Sequence, residues 1–483
     1  MHSQILISFF AYFCILLAVG IISHKKQTSS VDFIMGNRSL NFWLTALSAH
    51  ASDMSAWLFM AFPAAIFIGG MSQSWIAVGL ILGMLFNWQF VAKKLRTSTE
   101  KYESYTLSTF FEKRFNDKTG VLRILTATIS VFFLTCYLAA GLIAMGILFE
   151  SIFKIDYYVG LSLATFVVVS YTFFGGFVTV AWTDLFQALF LLVVIVFVPL
   201  FAFNQLPSGF EGIQQIAASK NIDLNFFQNL TFDTFLTNFF LVSWGLGYFG
   251  QPHIVTKFMG IKSAEDTYKA KYVGMAWQIA TLAAACAVGI VGIGFFEEGL
   301  QNPQLVFVDM VKILFNPLIA GFILCSVLAA NMSTMDSQIL VCASILSEDF
   351  YKRMFGKHVS QKRLLLASRM CVIFVSLLAL CLAFAKSASV LEAVRYAWNG
   401  LGSSFGPLVL MSLYSRRTNK YGAIAGILVG SLVAACWHFV NHWFTSYTVP
   451  SMIPGFFLSL LSIYVVSRLT KQDDAIIPVL EKD

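Results

Sequence analysis

Ser48-Ala49-His50-Ala51-Ser52-Asp53-Met54-Ser55-Ala56-Trp57 decides how the rest of the chain is read. These ten residues lie inside an apolar run from Asn41 to Gly70, longer than the roughly 20 residues needed to cross the hydrocarbon core of a bilayer. An aspartate at that depth is unfavourable by about 2.5–3.5 kcal/mol on insertion scales and is usually kept because it lines a polar path. Asp53 is therefore a functional candidate. The serines and small residues around it suit a locally unwound helix whose carbonyls and hydroxyls face a cavity. Such breaks are where small cations and polar solutes are held.

The whole chain has the same character. Of its 483 residues 58% are hydrophobic and 12% charged, and the mean hydropathy is +0.75, which points to a polytopic all-α membrane protein with no separate soluble domain. Apolar segments fall near 4–22, 41–70, 74–92, 123–153, 156–174, 180–203, 234–259, 272–296, 312–346, 367–386, 389–414, 421–440 and 451–467. About thirteen transmembrane helices are expected. The N-terminus lacks the basic start and cleavage site of a signal peptide, so the first segment is expected to be retained. The eight cysteines all fall in apolar segments without paired spacing and read as small buried hydrophobes.

The net charge of +7 is an insertion signal. With the N-terminus outside, 27 of the 32 Lys and Arg fall in loops placed in the cytoplasm, which orients the chain N-outside and C-inside. No nucleic-acid partner is needed to explain the charge. His50, His253, His438 and His442 lack ligand spacing, and the sequence shows neither a phosphate-binding Gly-Lys loop nor a nucleophile elbow, so metal catalysis, ATP-driven pumping and hydrolysis are set aside. The chain is not expected to be an enzyme.

A second break is expected at Ser243-Trp244-Gly245-Leu246-Gly247-Tyr248-Phe249-Gly250-Gln251-Pro252-His253, where glycines and a proline interrupt an apolar segment. One such cluster alone is a kink or a packing site. Two, in corresponding positions of segments running in opposite directions, are the pattern of an inverted-repeat transporter. Further on, Ala330, Ser333, Thr334 and Ser337 follow i, i+3, i+4, i+7 spacing and form one oxygen-bearing helical stripe. Hydroxyls and backbone carbonyls are suitable ligands for a hard cation such as sodium. Their plain alternative is close helix packing, against which stand Asn331 and Asp336 in the same run.

Three further positions are open at this level. Asp184 either favours its helix N-terminus or lies on an ion path. Arg38 alone reads as an interfacial anchor. Trp57, Tyr137, Trp244 and Tyr248 are candidate walls of a solute pocket.

At these residues the chain resembles the sodium:solute symporter family, over Ile5 to Arg468. The resemblance is carried by Gly36-Asn37-Arg38-Ser39-Leu40, Thr45 to Trp57, Ser74-Trp75-Ile76-Ala77, Phe174-Gly175-Gly176-Phe177 with Trp182-Thr183-Asp184, Gly245 to Pro252, Ala329 to Gln338, Ser347-Glu348-Asp349 and Phe405-Gly406-Pro407. It implies a LeuT-like core of two inverted five-helix repeats, 41–203 and 234–414, with extra helices at 4–22 and 421–467, all one transmembrane domain. It implies sodium-coupled import of a small zwitterionic solute, L-proline first and another amino acid or a carboxylate as the alternative, across a bacterial inner membrane, with no cofactor and no obligate protein partner.

By position, the resemblance assigns sodium binding to Ala51, Met54, Ala330, Ser333 and Thr334, and sodium coupling to Asp53 and Arg38. It assigns a second sodium site to Asp184, Asp336 and Ser337, and solute binding to Ser55, Ala56, Trp57, Tyr137, Trp244, Tyr248 and Pro252. The family's proline carriers have glycine at the positions of His50 and Ala56, a small apolar residue at Asn331 and serine at Asp336. A solute sensor on the same fold and proton coupling through Asp53 or Asp336 are the alternatives to sodium symport.

Overall fold

The computed structural model describes residues 2–23, 29–227, 231–356, 359–385, 389–444 and 447–470. The tail 471–483, expected in the cytoplasm, lies outside the described residues, as does Lys386. The described residues are helical, with one isolated parallel bridge between Leu40 and Ile261. Ten helices are long and apolar enough to cross a membrane, and the bent pair Phe42–Ala51 and Ala56–Gly69 makes an eleventh. The expected count of thirteen is therefore not reached by length and apolarity. Segment 234–259 is split into three short pieces, and 389–414 forms one continuous helix, Val390–Tyr414, that carries the polar residues Glu392, Arg395 and Asn399.

Eight elements position the site: α1 (Phe42–Ala51), α2 (Ala61–Gly69), α3 (Val121–Phe153), α4 (Phe177–Phe203), α5 (Pro252–Met259), α6 (Thr267–Phe295), α7 (Pro317–Ser344) and α8 (Val390–Tyr414). The chain enters α1 through Asn41, whose side chain accepts the Leu44 N–H at 2.9 Å. It leaves at Ser52, passes Ser55 in a non-helical conformation, makes the short turn Ala56–Leu58 and resumes as α2. The two halves are bent by 68°. No glycine or proline lies between Ala51 and Ala61. Instead Ser52 bonds back to the Ser48 carbonyl at 2.6 Å, the local competition by which serine weakens a helix.

In the second break the 3₁₀ segment Ser243–Gly250 lies against the Trp75–Phe86 helix with backbone on backbone. A Cβ on Gly245 would meet the Gly79 carbonyl oxygen at 2.0 Å, and one on Gly83 would meet the Gly245 oxygen at 2.2 Å. Only glycine permits that approach. Pro252 then opens α5, where a missing N–H is no loss.

The chain just before α1 meets the end of α5: Leu40 N–H donates to the Gly260 carbonyl at 3.2 Å, and Lys262 N–H donates to the Leu40 carbonyl at 2.7 Å. At the other end of α1, Tyr248 reaches Asp53. The two broken helices thus lie side by side and run antiparallel. Large apolar side chains such as Phe10, Ile22, Phe166 and Val193 cover the outside, while serines, threonines, Asp53, Asp184 and Asp336 are enclosed. That inversion suits a lipid surround. Cysteine burial departs from the expectation. Cys325 and Cys342 are buried, but Cys14, Cys381 and Cys436 lie on the outer surface, and all eight are free thiols.

Candidate functional site

The end of α1 points its last carbonyl at α7. Ser333 Oγ lies 2.9 Å from the Ala51 oxygen and 3.0 Å from that of Ala330, and Thr334 Oγ1 lies 3.3 and 3.2 Å from the same two atoms. Two carbonyl and two hydroxyl oxygens are therefore clustered, all on buried residues. Each hydroxyl has one proton for two acceptors. This neutral, hard-oxygen donor set fits a sodium ion, which would draw the oxygens together once the hydroxyl protons turn outward. Met54, in the unwound stretch, is wholly buried. The i, i+3, i+4, i+7 stripe of α7 faces the break along its length, since Ser337 Oγ meets Ser52 Oγ at 2.8 Å.

Asp53 turns away from this cluster. Its Oδ2 accepts from the Tyr248 hydroxyl, which in turn accepts from the Gln278 amide of α6 at 2.9 Å. The Asp53 carbonyl accepts the Trp57 indole N–H at 3.4 Å. Asp53 Oδ1 has no hydrogen-bond partner among the described residues. A buried orphaned carboxylate oxygen is costly, and it marks the point where a cation, a solute ammonium or water is to be placed.

Around Asp53 the side chains are aromatic. Trp57 stacks on Trp244 at 6.2 Å and 25°, with the Arg395 guanidinium 5.3 Å from the Trp244 ring. Trp398 of α8 donates its indole N–H to the Trp244 carbonyl at 2.9 Å and meets Tyr248 edge-on at 5.1 Å. Tyr137 of α3 lies edge-on to His253 at 5.7 Å. Ala56 presents its N–H to Asn331 Oδ1 at 3.5 Å, and the Asn331 amide donates to the Gly141 carbonyl at 2.9 Å. Both His253 ring nitrogens are buried without a partner among the described residues. Beside Pro252 and Thr256 there is a cavity of about 10 Å³ lined by Tyr105, Ser130 and Ser344, room for about one water.

The residues expected to bind solute, Ser55, Ala56, Trp57, Tyr137, Trp244, Tyr248 and Pro252, thus lie along the two breaks and the helices packed on them. Arg38 does not join them. Its guanidinium donates to the carbonyls of Thr99 at 2.9 Å and Ser104 at 3.1 Å, from a left-handed backbone with φ +54°, so it pins the entry to α1 against the 99–104 turn.

Asp184 and Asp336, expected in a second sodium site, each keep one buried carboxylate oxygen without a partner among the described residues. Asp184 sits well inside α4, not at its first turn, so capping does not explain it. Its Oδ2 accepts from Ser48 at 2.5 Å and from Lys257 at 3.1 Å. Asp336 instead accepts from Thr172 at 2.5 Å. Lys257, counted from the sequence as a loop cation, is 1% exposed. Gln278, Trp398 and Lys257 are contributors that the sequence reading passed over. A lone amide in an apolar span is the signal for the first.

Comparison with known proteins bears on the family and the fold. The profile of the sodium:solute symporter family matches residues 33–430. The high-affinity proline transporter PutP of Bacillus subtilis (strain 168) is 41% identical over 460 residues, 94% of this chain and 96% of that protein. The sodium/proline symporter of Staphylococcus aureus (strain JH9) is 41% identical over 481 residues, 96% and 93%. Among solved structures, a substrate-bound, outward-open Na⁺-coupled sialic acid symporter superposes with a TM-score of 0.82 at 16% identity, over 97% of this chain and 98% of that one. MhsT in complex with L-phenylalanine superposes with a TM-score of 0.56 at 15% identity, over 88% and 97%. The fold is thus the LeuT-like one. With the family profile spanning most of its length, the chain belongs to the sodium:solute symporter family.

Proposed function

We propose that the chain imports L-proline together with sodium by alternating access, in a bacterial plasma membrane, with its N-terminus outside. The observation that carries the reading is the four-oxygen cluster of Ala51, Ala330, Ser333 and Thr334, set one turn from an aromatic chamber. The sodium/proline relatives support the solute. The proposed repeats are 41–203 and 234–414, supported by the antiparallel breaks, and the orientation is supported by the Lys and Arg distribution with Lys257 taken out of the count.

Sodium entering from outside would be held by the oxygens of Ala51, Met54, Ala330, Ser333 and Thr334, fixing the end of α1 to α7. Because Asp53 follows Ala51 by two residues and is tied to Tyr248, that fixation also sets the chamber wall where the solute ammonium would meet Asp53 Oδ1. Trp57 and Trp244 close the outer side. Binding coupling is reciprocal: sodium raises solute affinity by the factor that solute raises sodium affinity. The membrane potential adds about 2.3 kcal/mol per charge per 100 mV.

The test is uptake of labelled L-proline into proteoliposomes with and without an inward sodium gradient, using wild type, Ser333→Ala and Asp53→Asn. Accumulation that needs sodium and collapses in both variants is the expected result. Uptake that ignores sodium and follows a proton gradient overturns the coupling, and sodium binding without proline uptake overturns the solute.

A further inference from the structure

We propose that a basic pocket at the end of α8, where it meets α9 (Lys420–Phe444) and α10 (Met452–Leu469), binds the phosphate headgroup of an anionic phospholipid and so ties α9 and α10 to the helices of the site. Such binding is independent of the ion and the solute carried.

Both α9 and α10 are long and apolar enough to span a bilayer, so the ends that meet here lie at a membrane–water interface. On the proposed orientation it is the cytoplasmic one. The cavity has a volume of about 420 Å³, within the roughly 300–1,000 Å³ of small-ligand sites. Arg416 and Arg417 line it from the α8–α9 linker, and Arg468 lines it from α10. No carboxylate is among its lining residues. Among the described residues neither Arg417 nor Arg468 is in a salt bridge. Behind the pocket Arg114, 3% exposed, donates to the Ser412 and Ser415 carbonyls at 2.9 and 3.0 Å and adds a further positive charge.

Arginines at an interface are by themselves an insertion signal. Two observations go further. Thr418 lines the cavity and is 0% exposed, yet its hydroxyl has no partner among the described residues; a buried hydroxyl left so is costly, and a phosphate oxygen would satisfy it. The pocket also lies at the start of α9, where Asn419 Oδ1 accepts the Gly422 N–H at 3.0 Å and the helix N-terminus favours an anion. Its floor is held, since the Asn419 N–H donates to Ser467 Oγ at 3.3 Å and the Asn419 amide to Thr470 Oγ1 at 2.8 Å.

A lipid phosphate fits better than a free one. Leu461, Tyr464, Val465 and Arg468 follow i, i+3, i+4, i+7 spacing on α10 and so share one face, and all four are exposed. Arg468 thus stands at the end of an apolar stripe along which an acyl chain can lie. Basic pockets between membrane helices are known to take anionic headgroups. The other negative groups within reach by sequence are Asp473 and Asp474 of the tail, outside the described residues.

Native mass spectrometry of the purified full-length protein in neutral detergent tests this, with phosphatidylglycerol, phosphatidylcholine or inorganic phosphate added at equal concentration. The wild type should retain phosphatidylglycerol in preference to the other two. Arg417→Gln with Arg468→Gln should lower that retention by about tenfold or more, while Lys362→Gln with Arg363→Gln, which removes the same charge from the start of another spanning helix, should leave it unchanged. Equal loss in both pairs overturns the proposal, because it makes the attraction a property of the whole basic face. So does a wild type that holds phosphatidylcholine or inorganic phosphate as well as phosphatidylglycerol. A wild type that retains none, but gains it in Asp473→Asn with Asp474→Asn, makes the tail the occupant and overturns the lipid. If the double arginine variant does not fold, the wild-type preference and the single Arg417→Gln variant decide.

Discussion

Ser333 and Thr334 each place one hydroxyl between two carbonyls, and this makes them testable one at a time. Hydrogen bonds and ligand contacts to a charged group contribute about 1.5–3 kcal/mol each. Ser333→Ala and Thr334→Ala should each raise the sodium concentration for half-maximal proline uptake by about tenfold or more, with the rate at saturating sodium less affected. A sodium titration of initial uptake rates checks this, and an unchanged half-maximal concentration in both would remove these hydroxyls from the ion. Asp53 and Tyr248 make a second test. Because their side chains are joined, Asp53→Asn and Tyr248→Phe should be non-additive in proline affinity, by about 0.5–3 kcal/mol in a double-mutant cycle. Strict additivity would mean that the link is broken in the solute-bound state. Much of this was legible in the residues. The α7 stripe declared itself through spacing, and Asp53 through its depth. Gln278 was not legible, because its role exists only through Tyr248, a partner thirty positions away that the fold alone brings to 2.9 Å.

At the scale of elements, the two breaks have different causes. The first is made by serines that satisfy the backbone locally. The second depends on glycines that admit a neighbouring helix, a reading the Gly-rich window supports but does not specify. Gly245→Ala should force the Trp75–Phe86 helix away from the 243–250 segment, since its Cβ would meet a backbone oxygen at 2.0 Å that cannot step aside. Overpacking of this kind costs about 1–3 kcal/mol. Thermal unfolding of the purified variant in detergent should show a lowered midpoint; an unchanged midpoint would mean that this contact opens without loss. The same segment shows where reading by hydropathy ends. Lys257 was placed in a loop because a lysine near the end of an apolar run is usually interfacial. Its carboxylate partner, Asp184, lies 73 residues earlier in the chain, out of reach of any local pattern.

For the molecule as a whole, alternating access requires that one face be held shut while the other opens, and the basic face carries a device suited to this. Arg123 at the start of α3 pairs with Glu112 at 3.1 Å and with buried Asp349 at 2.7 Å, and donates to the Glu348 carbonyl at 2.9 Å. Arg353 reaches the same Glu112 at 3.0 Å. These links join the Leu107–Arg114 helix, α3 and the π-helical continuation of α7, Ile345–Tyr351, below the cavity beside Pro252. On the proposed orientation this network lies on the cytoplasmic face. Opening it breaks charge-assisted bonds, so Arg123→Gln should favour the inward-open state. Loss of bonds contributing about 1.5–3 kcal/mol each to the closed state alone would raise the open fraction by tenfold or more. The measurement is alkylation of a cysteine introduced at Thr256, which lines the cavity, in a background without the eight native cysteines. Faster labelling in Arg123→Gln than in wild type, slowed again when sodium and proline stabilise occlusion, is the expected outcome. Equal rates would show that the network fixes the fold of this face without gating it. The network's members were visible singly as Ser347-Glu348-Asp349 and a basic loop; their convergence required α3 and α7 to be packed together, and no local pattern in the chain encodes that.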